Sequence, residues 1–289
     1  MHHPPADRAP ASCPAIALAA AEEVCGPVTL EPVTDRRGSA VWRATGPSGT
    51  AAVKAGTQMG ADITEREATV LGRLPGYTVA CGRDGDTAWL VTPWWDGPST
   101  WEVFAPVRAG IQDRAALLAA AQLCRTVADL HADGWVHCDL QPEHAIHTSG
   151  GVRLLDWSWA WSPDFPPSPL FRGGLPHLLA PELAASISVG IQPVQPGPAC
   201  ETYTLAALLW RCTTGGWPLD YAAHDLDPDQ LRAPQLRALI ANRAIPLTKP
   251  ATWPALLNVL RPALLAPRTQ RPRAADLAAR IAALALEAR

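Results

Sequence analysis

The sequence lacks the features that define several protein classes. No uncharged apolar run reaches the roughly 18 residues that a membrane-spanning helix needs, so we expect no membrane association. The seven cysteines are widely spaced and form no CxxC pair and no companion CxxH spacing, which favours reduced thiols in the cytoplasm and gives no zinc site. The net charge is −3, and without an excess of basic residues the chain is a poor candidate for nucleic-acid binding.

The beginning of the chain is predicted to contribute little to a folded core. Residues 1–12 contain several prolines and two adjacent histidines, a composition that buries little apolar surface. We expect this segment to be a flexible tail. Residues 15–21 then form an alanine-rich apolar run that ends at Glu22 and Glu23, and it is predicted to be a short leading helix.

Residues 28–90 have the pattern of an antiparallel sheet. Five short segments rich in strand-forming residues are separated by turn sequences such as GPSG and DGD. Residues 63–74 interrupt them with apolar side chains at helical spacing and charges on the opposite face. The pattern therefore predicts a sheet with one helix packed on it.

The pattern becomes helical after Gly97. A long helix is predicted between an Asp113 cap and a terminating Gly134. Two short strands are predicted at residues 135–137 and 152–156, and residues 157–182 form a long irregular stretch of the kind that is usually functional. Further helices are predicted at residues 199–214, 231–242, 253–264 and 274–288. The expected class is α+β, with a strand-rich lobe over residues 13–97 and a helical lobe over residues 98–289.

Five short segments carry chemistry, and they occur in a particular order. They are AVKA with Lys54, REA with Glu67, VHCDLQPEH with Asp139, LLDWS with Asp156, and APE with Glu182. Together they resemble the motif set of the protein kinase superfamily, in the manner of a divergent, bacterial-type, Ser/Thr-kinase-like member. The resemblance covers about residues 27–283 and implies a bilobal protein-kinase-like fold.

The resemblance also implies a role for each matched residue. Lys54 should hold the phosphates of ATP, and Glu67 should pair with the Lys54 ammonium and orient it. Asp139 stands at the position of the catalytic base, and Asp156 at that of a carboxylate that binds Mg or Mn. Further nucleotide contacts are implied for Gly38, Ser39, Thr92 and Trp94. Arg271 matches an arginine that the family pairs with the APE glutamate, which is Glu182 here.

Three departures from the family pattern affect the nucleotide and metal sites. The glycine-rich loop keeps only Gly38, which should weaken phosphate binding. Arg36 and Arg37 are predicted either to lie in a solvated turn or to substitute partly for the missing glycines. The family arginine before the catalytic aspartate is Cys138. The second metal ligand, normally an asparagine, is His144, which favours either binding of one metal through Asp156 or a preference for Mn over Mg. Alternatively, His144 only hydrogen-bonds its loop.

The substrate side departs from the family as well. Gln141 and Leu175 replace the Lys and Thr with which Ser/Thr kinases orient a substrate. Tryptophans such as Trp94 and Trp101 are predicted either to pack in the interior or to form an aromatic surface for a peptide.

Three functions remain open from the sequence. The first is an ATP-dependent phosphotransferase that acts on a hydroxyl of a peptide or protein, including a biosynthetic peptide precursor. The second is a pseudokinase scaffold with little or no nucleotide turnover. The third, a small-molecule kinase, is disfavoured by the APE motif and the Arg271 match.

Overall fold

The computed structural model describes residues 12–36 and 38–287. Apart from Ser12, the predicted tail lies outside the described residues, and so does Arg37. The chain forms two compact units, one that extends to Trp95 and one that starts at Asp96. Within the described part of the chain, no helix is both long enough and apolar enough to cross a bilayer.

The first unit is a five-stranded antiparallel sheet with two helices. Its elements are α1 (Ala15–Cys25), β1 (Thr29–Arg36), β2 (Ser39–Gly46), β3 (Gly49–Thr57), α2 (Met59–Leu71), β4 (Ala80–Asp84) and β5 (Thr87–Pro93). The strand order is β1-β2-β3-β5-β4, and every neighbouring pair is antiparallel. This confirms the predicted sheet, and α2 lies a few residues earlier than the predicted helix.

One face of the sheet is covered by the leading helix, which is longer than predicted. Ala17, Ala21 and Cys25 recur every four residues and therefore share one face of α1. They are buried in one cluster with Ala51 and Val53 of β3. Since most of these side chains are small, the helix can lie close to the strands, and the sheet has a second packed helix in addition to the predicted one.

The opposite face of β3 is covered by α2, and a glycine permits the close approach. A Cβ at Gly56 would lie 2.1 Å from the carbonyl oxygen of Gly60 and 2.6 Å from Oγ1 of Thr64. Glu67 follows Thr64 by three residues and lies on the same side of the helix. Lys54 precedes Gly56 by two residues and shares its face of the strand. Packing at Gly56 therefore brings Glu67 to Lys54.

The second unit is mainly helical. Its elements are α3 (Thr100–Val103), α4 (Ala105–Arg108), α5 (Arg114–Ala132), β6 (Ala145–Thr148), β7 (Gly151–Leu154), α6 (Pro181–Ser188), α7 (Pro198–Thr214), α8 (Ala233–Ala241), α9 (Pro254–Leu265) and α10 (Ala274–Glu287). The Asp113 side chain caps α5 by accepting a hydrogen bond from the Ala115 N–H at 2.8 Å, as predicted. α7 is buried over most of its length and forms the centre of the unit. The α+β class is confirmed.

The predicted strand at residues 135–137 is wrong. Val136 makes only an isolated antiparallel pair with Trp161, and the strand that pairs with β7 is β6. The physical reason is the backbone at Cys138, whose φ of 72° ends the extended conformation. The chain therefore turns there into the loop that carries Asp139.

An ion pair ties α6 to the segment before α10, as predicted. Nη1 and Nη2 of Arg271 lie 2.5 Å and 3.1 Å from the two carboxylate oxygens of Glu182, and Nη1 also donates to the Ala199 carbonyl at 2.7 Å. Burial alone would raise the pKa of Glu182, but the hydrogen bonds and charge of Arg271 outweigh it and keep that pKa low. The pair is internal to the unit and serves its folding.

Replacing Gly56 with alanine should separate α2 from β3. The new Cβ would overlap the Gly60 carbonyl, and overpacking of this kind costs about 1–3 kcal/mol of unfolding free energy. Gly72→Ala is the matched control, because Gly72 has a φ of −65° and its Cβ would meet no atom closer than 3.4 Å. Urea unfolding should show a lower midpoint for Gly56→Ala only. Equal midpoints for the two variants would contradict this account of the packing.

Candidate active site

The first unit holds the predicted ion pair between Lys54 and Glu67. Nζ of Lys54 lies 2.5 Å from Oε2 of Glu67, and the two side chains are 14% and 7% exposed. The pair forms because β3 and α2 bring both side chains to the same side of the sheet. An ammonium has three donor hydrogens, and pairing with one carboxylate fixes the direction of this one. Its role in phosphate binding stays a prediction.

The strand register places three predicted nucleotide-binding residues on one face of the sheet. Ser39 pairs with Gly56 across β2 and β3, and Thr92 pairs with Ala52 across β5 and β3. Directly opposed residues point to the same face. Positions 52, 54 and 56 also share a face of β3, so Ser39, Lys54 and Thr92 lie on one side of the sheet.

The single glycine between β1 and β2 packs against the connection between β3 and α2. Gly38 has a φ of 79°, and its carbonyl accepts a hydrogen bond from the Thr57 N–H at 2.9 Å. A Cβ at Gly60 would lie 2.2 Å from this carbonyl oxygen. Arg36, at the end of β1, is exposed. The turn is thus fixed by the β3–α2 connection and carries one glycine where the kinase pattern has several.

Sequence reasoning missed a second cation on the Lys54 face. Arg43 pairs with Ala52 across β2 and β3 and therefore points to the same side as Lys54. Its guanidinium carbon lies 5.0 Å from the ring centroid of Trp94. The backbone N–H of Trp94 donates to the Thr50 carbonyl at 3.1 Å, which fixes the position of this residue just after β5. No motif marks Arg43, because only the register reveals its direction.

In the second unit, Asp139 is buried and closely surrounded. Nε2 of Gln141 donates to Oδ1 of Asp139 at 3.0 Å. A Cβ at Gly174 would lie 2.3 Å from the same oxygen, so only glycine fits there. Gln141 therefore supplies a donor to the aspartate at the position where the family pattern has a lysine.

A buried glutamate that sequence reasoning missed holds the loop that carries Asp139. Oε1 of Glu201 accepts a hydrogen bond from the Cys138 N–H at 2.7 Å, and Oε2 lies 2.8 Å from Nε2 of His131. Glu201 is 3% exposed. It stabilises Cys138 in the left-handed conformation that a non-glycine residue seldom adopts. A charged residue in the mostly apolar helix α7 was the sequence feature that could have revealed it.

His137 joins this loop to the chain that follows β7. Its Nε2 bonds the Leu155 carbonyl at 3.0 Å, its Nδ1 accepts the Asp139 N–H at 3.3 Å, and its ring lies 4.6 Å from that of Trp157. Burial lowers the pKa of His137 to about 4, so the ring is neutral near pH 7. Since a neutral imidazole has one donor and one acceptor, both are used to position Asp139 relative to Asp156.

The structure brings both predicted metal ligands together with Asp139. Asp139, His144 and Asp156 each offer one ligand atom, and these atoms lie within 4.8 Å of one another. Asp156 has a φ of 61°, and its Oδ1 accepts a hydrogen bond from Ser158 Oγ at 2.8 Å. Two carboxylates and an imidazole form a donor set that suits a divalent cation.

The geometry of His144 is compatible with both predicted roles, a hydrogen bond to its own loop and a ligand of a metal ion. Nδ1 lies 2.9 Å from the Asp139 carbonyl oxygen, which can only accept, so Nδ1 carries the proton. In this tautomer the lone pair is on Nε2. His144 therefore hydrogen-bonds the loop and still has a nitrogen with which to coordinate a metal.

The comparisons with known proteins agree with this architecture. No protein-family profile matches the chain. Over 173 aligned residues the chain is 29% identical to serine/threonine-protein kinase pkn2 of Myxococcus xanthus, an alignment that covers 55% of this chain. The same alignment covers 20% of the kinase, so the chain spans about a fifth of the length of that relative. The similarity supports a kinase-like protein.

Removing the Glu201 carboxylate should release the Asp139 loop. In Glu201→Ala, the Cys138 N–H loses its acceptor, and an unsatisfied buried donor costs about 1–3 kcal/mol. Amide hydrogen exchange at residues 137–139 should accelerate strongly. Glu201→Gln keeps an oxygen acceptor and is the conservative control, for which we expect a smaller acceleration. Unchanged exchange in Glu201→Ala would show that the carboxylate does not hold the loop.

Replacing His144 with asparagine should shift the metal preference toward Mg. A carboxamide oxygen suits Mg better than an imidazole does, so Mg-supported nucleotide binding should strengthen relative to Mn-supported binding by about tenfold. Calorimetric titration with a non-hydrolysable ATP analogue measures the nucleotide affinity in the presence of each metal. The exposed His224 supplies the control His224→Asn, which should change neither affinity. An unaltered metal preference in His144→Asn would restrict His144 to a hydrogen-bonding role.

Proposed function

We propose that this protein is an ATP-dependent phosphotransferase that transfers the γ-phosphoryl group to a hydroxyl of a peptide or protein. The observation that carries the proposal is the cluster of Asp139, His144 and Asp156, which one short stretch of chain assembles with its own supporting hydrogen bonds. The distant kinase relative supports the same class of reaction. The acceptor as a peptide or protein is part of the proposal.

The first unit would contribute electrostatic binding of the nucleotide. Phosphoryl transfer needs cations that offset the charge on the phosphates and hold them in place. Lys54 supplies such a cation, and the contact with Glu67 fixes its orientation. Arg43 adds a positive charge on the same face of the sheet. A preorganised donor is more effective than a mobile one because it does not reorganise when charge develops.

The second unit would contribute the base. In the proposed step the acceptor hydroxyl gives its proton to the Asp139 carboxylate, and its oxygen forms a new bond to the γ-phosphorus. The bond between that phosphorus and the bridging oxygen breaks, and ADP leaves with the electron pair. The donor from Gln141 keeps the Asp139 carboxylate in one orientation.

A divalent ion would be held by Asp156 and, through an imidazole nitrogen, by His144. When bound, such an ion supplies charge neutralisation to the nucleotide phosphates. The residues of this chain determine which ion is preferred: carboxylate oxygens accept Mg, and an imidazole favours Mn. Mg or Mn together with ATP is therefore the proposed cofactor set.

A pseudokinase scaffold is the second candidate, and the Gly38 turn favours it. Backbone N–H groups of a glycine-rich loop bind phosphates because the chain can approach closely. Here one glycine is present, and its carbonyl accepts a hydrogen bond from the Thr57 N–H. Binding of nucleotide without turnover, or no binding with either metal, is the behaviour that this candidate requires.

Incubation of the purified protein with labelled ATP tests the proposal. We expect transfer of label, with Mg or with Mn, to the protein itself or to a peptide library that presents Ser, Thr and Tyr. Asp139→Asn should lower the rate at least about 100-fold, because general-base assistance contributes about 10²–10⁴. Its nucleotide affinity should remain, since the substitution changes the base and keeps the side-chain size.

The matched control is Asp133→Asn, which makes the same substitution at an exposed aspartate after α5. Its transfer rate should equal that of the wild type. Absence of transfer from the wild type under both metals would reject the phosphotransferase. If nucleotide binding persisted in that case, the scaffold would be supported.

A further inference from the structure

A row of alternating cationic and aromatic side chains lies in the second unit. The Arg108 guanidinium carbon is 3.6 Å from the ring centroid of Trp101. The Arg211 guanidinium carbon is 5.3 Å from the same ring and 3.7 Å from the ring of Trp217. Trp217 in turn stacks on His177, with centroids 4.1 Å apart and planes inclined by 16°. We call these five residues the arginine–tryptophan row.

The indole rings hold the two guanidinium groups in position. Arg108 and Arg211 lie near the same Trp101 ring, and each is half-buried. A guanidinium over an indole face gains cation–π attraction and loses side-chain freedom. Arg108 is further fixed because Nη1 donates to the Cys212 carbonyl at 3.1 Å. The row therefore presents two preorganised cations.

These two cations have too little negative charge around them. Among residues 12–36 and 38–287, no carboxylate makes a salt bridge with Arg108 or Arg211. Burial lowers the pKa of both guanidinium groups, and the exposed Glu143 is the carboxylate that offsets this for both. The charge of Arg108 itself lowers the pKa of Arg211. Half-buried like charges are costly, and an incoming anion would relieve this cost.

His177 is a buried ring that supports Trp217 and adds no third charge. Its pKa is lowered to about 4, chiefly by burial and further by Arg211, so the ring is neutral near pH 7. Its Nδ1 lies 3.1 Å from the Tyr221 hydroxyl, which anchors the ring at the end of the row. Asp229 has a weaker electrostatic influence on the same ring.

Both ends of the row connect to the loop of the proposed base. His177 follows Gly174 by three residues, and Gly174 abuts Oδ1 of Asp139. Glu143 follows Asp139 by four residues and interacts electrostatically with Arg108, at the other end of the row, and with Arg211 in its middle. Helix α3, which carries Trp101, also packs against residues 142–144 of this loop, so we expect a peptide with its hydroxyl at Asp139 to extend to these cations.

We propose that the arginine–tryptophan row binds an anionic group of the peptide acceptor, a carboxylate or a phosphate monoester close in sequence to the hydroxyl. This inference rests on the proposed phosphotransferase function and specifies its substrate class. A planar guanidinium forms two parallel hydrogen bonds with either anion, and the tryptophan rings exclude water from one side of each contact. Acidic or already phosphorylated peptides are thus the preferred substrates.

Direct binding of labelled peptides tests the proposal independently of turnover. Four fluorescein-labelled peptides share a central position that is an equal mixture of Ser, Thr and Tyr, and they are flanked by Glu, phosphoserine, Gln or Lys. Fluorescence anisotropy should show the Glu and phosphoserine peptides binding at least about tenfold more tightly than the Gln peptide. The Lys peptide should bind most weakly, and added salt should reduce the difference. The order of the Glu and phosphoserine peptides identifies the preferred anion.

Variants of the row should remove this preference. Arg108→Gln and Arg211→Gln should each weaken binding of the anionic peptides by about tenfold, and Arg211→Lys should be intermediate because it keeps charge without the planar fork. Arg261→Gln is the matched control, since Arg261 also lies near an indole, 5.7 Å from the Trp210 centroid, outside the row. It should bind all four peptides as the wild type does. Thermal unfolding of each variant verifies that the fold is retained.

The outcomes separate this inference from the proposed function. Equal affinity for the four peptides, or full anion preference in both glutamine variants, would overturn the anion site even if phosphate transfer occurs. Selective binding of anionic peptides without any phosphate transfer would overturn the phosphotransferase and leave the anion site standing. Selective binding together with faster phosphorylation of the anionic peptides would support both.

Discussion

The buried carboxylate of Glu201 is the constraint on which the candidate site of the second unit depends. It accepts the Cys138 N–H and contacts His131, so the chain can turn at Cys138 through a φ of 72°. That turn places Asp139 beside the main chain at Gly174. A backbone conformation that is intrinsically unfavourable persists only where the surroundings fix it, and here a central helix supplies that fixation.

The first unit solves a similar positioning problem with small residues instead of a charge. Gly56 lets α2 lie against β3, and the alanines of α1 cover the other face of the sheet. The Lys54–Glu67 contact follows from this packing, because the face of β3 that carries Lys54 lies against the side of α2 that carries Glu67. The ion pair is therefore a consequence of the close approach between the backbones of α2 and β3. A larger residue at position 56 would move the helix and the carboxylate together.

The departures from the kinase pattern alter residue types at the candidate site but leave supporting hydrogen bonds in place. Gln141 still donates to Asp139, and His144 is held by the loop while retaining a coordinating nitrogen. The proposed substrate-binding side differs more, since two half-buried arginines lie on tryptophan rings there. Under the proposed function, the retained positioning contacts would keep the reaction class, and the altered surface would change the substrate.

The sequence by itself determined the α+β class, the antiparallel sheet and the long capped helix, because strand alternation and helix spacing are local properties. Its ordered motifs also marked Lys54, Glu67, Asp139 and Asp156, which the structure brings together as two pairs and whose chemical roles stay predictions. It misplaced a strand at residues 135–137, because the chain turns at Cys138, whose N–H donates a hydrogen bond to Glu201 on a distant helix. Only the tertiary structure decided the role of Glu201, the direction of Arg43 and the arginine–tryptophan row. Each depends on contacts between residues far apart in the chain, and such contacts leave no periodic pattern in the sequence.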